Sequence, residues 1–233
     1  MDKATIAAQT ARILLRIGAV KYNPVQPFFF TSGWASPIYI ECRKLISYPD
    51  LRRQVMDFAL QRLRDEMPPG GLDVVAGGES AGIPFAAWLA DRLDLPMVYI
   101  RKRPIGLGPN AQMEGDFAPG ARVLLVEDLT TDARSKVNFC AALRQASAVV
   151  SHVFVIFGYD IFPGTKELLQ QQELALISLA NCKDVLQVAR SDEYFDKATL
   201  DAITTFLDDP VGWSASHGGI GAPPAGGMPV SRN

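Results

Sequence analysis

Apolar or small residues recur at helical spacing at the start of the chain, at Ile6, Thr10, Ile13, Leu14 and Ile17, with Gly18 behind them. That spacing puts them on one face, so an amphipathic helix is predicted over residues 2–17. The stretch PFFFTSGWASPIYIECRK holds two short aromatic and β-branched runs around Ser32–Ser36. It predicts a hairpin whose turn is longer than two residues. Helical spacing resumes through Leu51, Val55, Phe58, Ala59, Leu60 and Leu63 and stops at the Pro/Gly cluster of residues 67–71.

Beyond that cluster the pattern becomes regular. Continuous apolar runs at Leu72–Ala76, Met97–Ile100, Val123–Val126, Val149–Phe157 and Leu174–Leu179 are separated mostly by helical segments near 83–93, 134–146 and 165–171. Strands without alternation, interleaved with helices, predict an α/β fold with a parallel sheet covered on both faces. Ligands of such sheets bind beyond the carboxyl ends of the strands. A last helix, roughly Asp192–Leu207, closes the pattern. The chain therefore divides into one domain over residues 1–210, with a small hood of about 1–48 and a core of about 49–210. The Gly/Pro-rich residues 211–233 show almost no apolar period and are expected to form a flexible tail.

Composition narrows the chemistry. The net charge is -2 and no long basic run occurs, which disfavours a nucleic-acid binder. No apolar stretch approaches the length of a membrane span, and the first residues lack the layout of a secretory signal. The three cysteines, Cys42, Cys140 and Cys182, lie far apart in apolar surroundings and read as reduced core thiols. A cytoplasmic protein is the expectation. With only two histidines, His152 and His217, chemistry is left to Arg, Lys, Asp, Glu and backbone amides.

The strongest local signal is ARVLLVEDLTTDARSK. An apolar strand runs into Glu127 and Asp128, whose side chains face opposite sides and so cannot serve one metal ion directly. They suit a sugar diol or the water shell of a metal. The Thr-rich turn behind them opens a helix, whose unpaired N–H groups and partial positive charge suit a phosphate. A plainly capped helix, with Thr131 or Asp132 satisfying those amides, fits the same residues. The basic run Arg101-Lys102-Arg103 ends another strand and reads either as an anion site or as a solvated strand end. Trp34, Trp88 and His152 read as packing residues, Cys42 lacks a neighbouring base, and Glu79 reads as a turn carboxylate or a partner for metal-bound water.

Strand, acidic pair, Thr-rich turn and helix together resemble the phosphoribosyl diphosphate (PRPP) signature of type I phosphoribosyltransferases. The segments FTSGWASPIYIECRK, VVAGGESAGIPFAAWLA and VYIRKRPIGLGPNAQMEG are similar, in order and spacing, to those of its orotate phosphoribosyltransferase branch. The resemblance covers about residues 5–200. It implies a Rossmann-like core with helices on both faces under a small N-terminal hairpin and helix hood. The implied activity is transfer of the 5-phosphoribosyl group from PRPP to orotate with magnesium, in pyrimidine biosynthesis, by a homodimer. Arg101, Lys102 and Asp128 are the implied catalytic residues. PRPP would be held by these, by Arg103 and Glu127, and by the turn Leu129, Thr130, Thr131, Asp132, Ala133, Arg134 and Ser135. The backbone of residues 77–82 would line the diphosphate. Tyr39, Ile40 and Thr131 would meet orotate. Magnesium would arrive with PRPP, through waters near Glu127 and Asp128, with no direct protein ligand.

Three places depart from the pattern of the family. Ile105 and Leu107 stand where its mobile loop carries a lysine and often a histidine. Ala133-Arg134 replaces a glycine-containing pair in the phosphate turn, and Gly158-Tyr159-Asp160 lacks the basic residue that helps hold orotate. An aliphatic side chain cannot neutralise a diphosphate, though Arg103 could. The alternative reading is a non-catalytic relative that keeps the fold and binds a nucleotide or a partner.

Overall fold

The computed structural model describes residues 1–105 and 111–223. Helix α1 (Lys3–Arg16) opens the chain, capped by Asp2, whose carboxylate accepts from Thr5 N–H. Four short strands follow: β1 (Val20–Tyr22), β2 (Phe28–Phe29), β3 (Ala35–Ser36) and β4 (Ile38–Ile40). The predicted hairpin is the two-residue pairing of β2 with β3, whereas β4 turns away to pair with β1. A 3-10 helix over Cys42–Ser47 then leads to α2 (Pro49–Glu66).

The core alternates as the apolar runs predict: β5 (Val74–Gly78), α3 (Gly82–Leu93), β6 (Met97–Ile100), β7 (Met113–Glu114), β8 (Arg122–Thr130) and α4 (Arg134–Gln145). It continues through β9 (Val149–Gly158), α5 (Thr165–Gln171), β10 (Ala175–Asn181) and α6 (Cys182–Ser191) to α7 (Lys197–Asp208). The six strands lie in the order β10-β9-β8-β5-β6-β7, all parallel except β7, which runs antiparallel to β6. One face packs Val75, Leu124, Val126 and Phe154 against α1, α2, α3 and the hood. The other packs Val74, Leu125, Val153 and Val155 against α4 and α5. Both faces are thus covered, as continuous apolar strands require.

Two predicted boundaries are corrected. The last helix, expected over Asp192–Leu207, starts only at Lys197, where Asp196 caps α7, and the separate helix α6 before it starts at a capping box of Asn181 and Asp184. The tail does not begin at residue 211, because Pro210–Ser216 form an eighth helix, α8, whose Ser214 is fully buried. The segment folds back on the hood: Ala35 N–H donates to Ser214 Oγ (3.0 Å), Ser214 Oγ–H donates to Ile220 O (2.8 Å), and Ile220 N–H donates to Gly33 O (3.0 Å). Residues 224–233 lie outside the described residues.

All three cysteines are free and buried, as their surroundings predict. Burial pushes the Cys140 thiol up to about 12 and raises Cys42 and Cys182 too, so none is poised as a thiolate nucleophile. Trp34 stacks on Phe162 at 4.8 Å, and Trp88 meets Phe85 edge-on beneath the Arg52 guanidinium.

Candidate active site

The site forms where β5, β6 and β8 end side by side. Glu127 and Asp128 do not follow β8 but belong to it, since the ladder with β9 runs on to Thr130 opposite Gly158. Both carboxylates are buried, and strand alternation sends them to opposite faces. Glu127 lies on the α4 side, where Lys136 Nζ approaches its Oε2 at 3.6 Å. Its Oε1 is buried without a hydrogen-bond partner. That oxygen rests on Gly78, where a Cβ would stand 1.9 Å from it, so any side chain there would displace the carboxylate. Asp128 lies on the hood side, and its Oδ1 accepts from Leu129 N–H at 2.9 Å.

Desolvation pushes the Glu127 carboxyl up to about 7, with Lys136 opposing the shift and the Asp128 charge adding to it. Burial raises Asp128 as well, against the pull of Lys136, the Leu129 amide and Arg43. Lys136 is therefore the counter-cation of the pair. Sequence reasoning did not single it out, although a lysine in the first turn of the helix after two acids is a usable signal.

The phosphate turn closes partly on itself. Ala133 N–H donates to Thr130 Oγ1 (3.1 Å), and Arg134 N–H donates to Asp132 Oδ1 (3.3 Å). The capping reading thus holds for those two amides, through Thr130 and Asp132 rather than Thr131. Ala133 is buried and sits at φ 62°, in the left-handed region. The backbone conformation that a glycine would favour is retained here with an alanine in it. Arg134 reaches back to Asp132, with Nε 3.6 Å from Oδ2, while Ser135 is exposed and its hydroxyl accepts from Lys136 Nζ. Thr131 and Leu129 are partly exposed at the rim.

The glycine loop and the basic strand end meet at Glu79. Its N–H donates to Ile100 O (2.9 Å) and its Oε2 accepts from Lys102 N–H (2.7 Å). Glu79 is thus a turn-organising carboxylate, one of its two predicted readings. Arg101 is engaged elsewhere: its Nε donates to Glu114 Oε1 at 2.9 Å, so its side chain lies along β7. Lys102 and Arg103 are exposed. Ile105 is 67% exposed, and Leu107 lies outside the described residues.

On the hood side, Tyr39 is flanked by Phe28 at 5.4 Å and Phe30 at 6.4 Å. The backbone of Ile40 is tied to the core, because its N–H donates to the hydroxyl of Tyr159 (3.1 Å), the residue after β9. Tyr159 N–H in turn donates to Thr130 O (2.9 Å). Where the family pattern has a basic residue, this chain builds a fully buried aromatic post between β8 and the hood. Arg43, in the 3-10 helix, donates to Tyr39 Oη at 3.3 Å and feels the Asp128 charge. Neither Tyr159 nor Arg43 was singled out by pattern: Tyr159 acts on Ile40, more than a hundred positions away, and Arg43 on Tyr39 through a local contact that carries no periodic signal.

Comparison with known proteins places the chain in a family. The model of the phosphoribosyl transferase domain matches residues 46–158. The orotate phosphoribosyltransferase of Sinorhizobium medicae is 49% identical over 221 residues, covering 95% of each chain. Among solved structures, orotate phosphoribosyltransferase from Aeropyrum pernix superposes with a TM-score of 0.66 at 28% identity, over 80% of this chain and 99% of that one. Leishmania donovani UMP synthase gives a TM-score of 0.75 at 25% identity; 87% of this chain matches only 42% of that longer one. With close to half its residues identical along almost the full length of a curated relative, the chain belongs to the orotate phosphoribosyltransferase family.

Proposed function

We propose that the protein transfers the 5-phosphoribosyl group of PRPP to orotate, forming orotidine 5'-monophosphate and releasing diphosphate. The observation that carries this reading is the buried Glu127–Asp128 pair at the end of β8, set between the glycine loop after β5 and the turn before α4. Relatives at 47–49% identity bear the orotate phosphoribosyltransferase name, which favours this reading over a non-catalytic relative.

As the bond from the anomeric carbon to diphosphate breaks, its electron pair leaves with the diphosphate. The ring nitrogen of orotate supplies the pair for the new bond and gives up its proton, which leaves to water or on the departing diphosphate. The protein's work is to align the two reactants and stabilise the charge that departs. Asp128 and Glu127 accept from the ribose hydroxyls. Residues 129–135 receive the 5'-phosphate through backbone and hydroxyl groups at the start of α4, where the helix dipole favours an anion. The loop of residues 77–82 and the cations Arg101, Lys102 and Arg103 face the diphosphate, Arg101 after exchanging Glu114 for it. Thr131, Tyr39 and Ile40 border the base.

Among the described residues no group of three or more His, Cys, Asp or Glu could hold a metal directly. The acidic pair, with a buried unpartnered oxygen on Glu127, suits magnesium-bound water. These two residues would hold the water shell of magnesium carried in with PRPP, which would help to neutralise the diphosphate. The resemblance further supports a homodimer, and the three free, buried cysteines support a cytoplasmic setting.

The test is to incubate the protein with orotate, PRPP and magnesium and identify the products by chromatography. Orotidine 5'-monophosphate and diphosphate in equal amounts are expected. Orotate recovered unchanged would overturn the reading.

A further inference from the structure

Orotate differs from other pyrimidines in its carboxylate, and binding that group in a partly desolvated site calls for a cation. The end of β9 supplies none: Gly158 has no side chain, Tyr159 is committed to Ile40, and Asp160 is itself an anion, 3.7 Å from Lys166. The cation must then come from another element that borders the base, and the hood segment of residues 19–48 holds three: Lys21, Arg43 and Lys44.

Two of the three are already engaged. Lys21 Nζ lies 2.6 Å from Glu41 Oε2. Lys44 Nζ donates to Ile17 O (3.1 Å) and Gly18 O (3.0 Å), closing the end of α1. Arg43 is exposed, and among the described residues its hydrogen bond to a side chain goes to a neutral group, the Tyr39 hydroxyl. That contact places the guanidinium at the edge of the aromatic ring that borders the base, on the same side of the sheet as Asp128, whose charge it feels. A guanidinium so placed has N–H groups left to offer a planar carboxylate side by side.

We infer that Arg43, held by Tyr39 at the hood edge of the site, recognises the carboxylate of orotate and makes the protein select it over uracil. The inference rests on the reading under Proposed function and adds a specificity residue to it.

The test compares two nucleotides that differ only in that carboxylate, orotidine 5'-monophosphate and uridine 5'-monophosphate. Their equilibrium binding to the full chain is measured by calorimetry, with no turnover needed. The wild type is expected to prefer orotidine 5'-monophosphate. Arg43→Gln should lose about tenfold or more of that affinity while holding uridine 5'-monophosphate within about twofold, and Arg43→Lys should recover part of the loss. Retained binding of the uridine nucleotide also shows that the variant is folded. If Arg43→Gln keeps the preference, or weakens both nucleotides equally as a phosphate contact would, the inference is overturned while the orotate reading stands. A wild type that does not distinguish the two nucleotides overturns both.

Discussion

At Glu127, three residues set the behaviour of one carboxyl group. Burial on the α4 side of β8 raises its pKa, Lys136 limits the rise, and Gly78 leaves the space in which it sits. With an ordinary value of 4.5 in the unfolded chain and about 7 in the folded one, the folded state binds the extra proton between those values. Stability should therefore fall as pH rises through that window and level off above it, by on the order of 3 kcal/mol at most. Urea midpoints from pH 4.5 to 8 on wild type and Glu127→Gln check this. The difference between the two curves should change across the window; parallel curves would show that Glu127 titrates normally.

Ile105 is the opposite case, an exposed aliphatic side chain on a loop where the family pattern has a cation. Nothing in its packing calls for isoleucine. Restoring the charge with Ile105→Lys should raise kcat roughly tenfold, as charge placed against a leaving group does. Steady-state rates at saturating PRPP measure it, and an unchanged kcat would show that Arg103 or another cation already does that work. Tyr159 could not be read at this scale, because its partner Ile40 lies more than a hundred positions away in the chain, and the contact of Arg43 with nearby Tyr39 leaves no periodic signal.

Among the elements, those that bury a whole face were legible. The runs Met97–Ile100 and Val149–Phe157 announce β6 and β9 because strands covered on both sides carry no polar alternation. The end of β8 was not legible, since Glu127 and Asp128 are poor strand formers. The ladder to β5 ends at Val126, and pairing to β9, not propensity, keeps them extended. The pairing of β1 with β4 was missed because three residues are too few to show a period.

Helix α8 escaped for a related reason. Its Gly/Pro-rich surroundings read as a tail, yet Asp209 accepts from Gly212 N–H and Pro210 sits in the first turn, which together start a helix. The segment clasps the hood so closely that Gly219 has no room for a side chain: a Cβ would stand 2.5 Å from Ala35 N and 2.3 Å from Ser214 Oγ. Gly219→Ala should thus break the clasp and destabilise the protein by about 1–3 kcal/mol. Hydrogen exchange at the Ala35 amide reads it directly. Protection at that amide equal to wild type would show that the clasp is dispensable.

For the whole molecule, the sheet order is what converts scattered motifs into one site. Strand β5 lies between β6 and β8, so the glycine loop, the basic strand end and the acidic pair reach the same edge although they span residues 77–135. The hood then covers that edge from the side of Asp128, tied to the core by Tyr159 and to α8 by Ser214. The motif order in the sequence was enough to point to this edge and to the family. It could not show that Arg101 is paired with Glu114 or that Lys136 balances the acids, because both depend on how the motifs meet.

Asp128, at the end of β8, is the residue on which phosphoribosyl transfer depends most. The most direct measurement is the initial rate of orotate consumption, followed by its absorbance with PRPP and magnesium present, for wild type and Asp128→Asn. The account predicts a steady, PRPP-dependent fall in the wild type and a kcat/KM lower by about a hundredfold in the variant. A wild-type signal that does not respond to PRPP, or a variant as fast as the wild type, would contradict it.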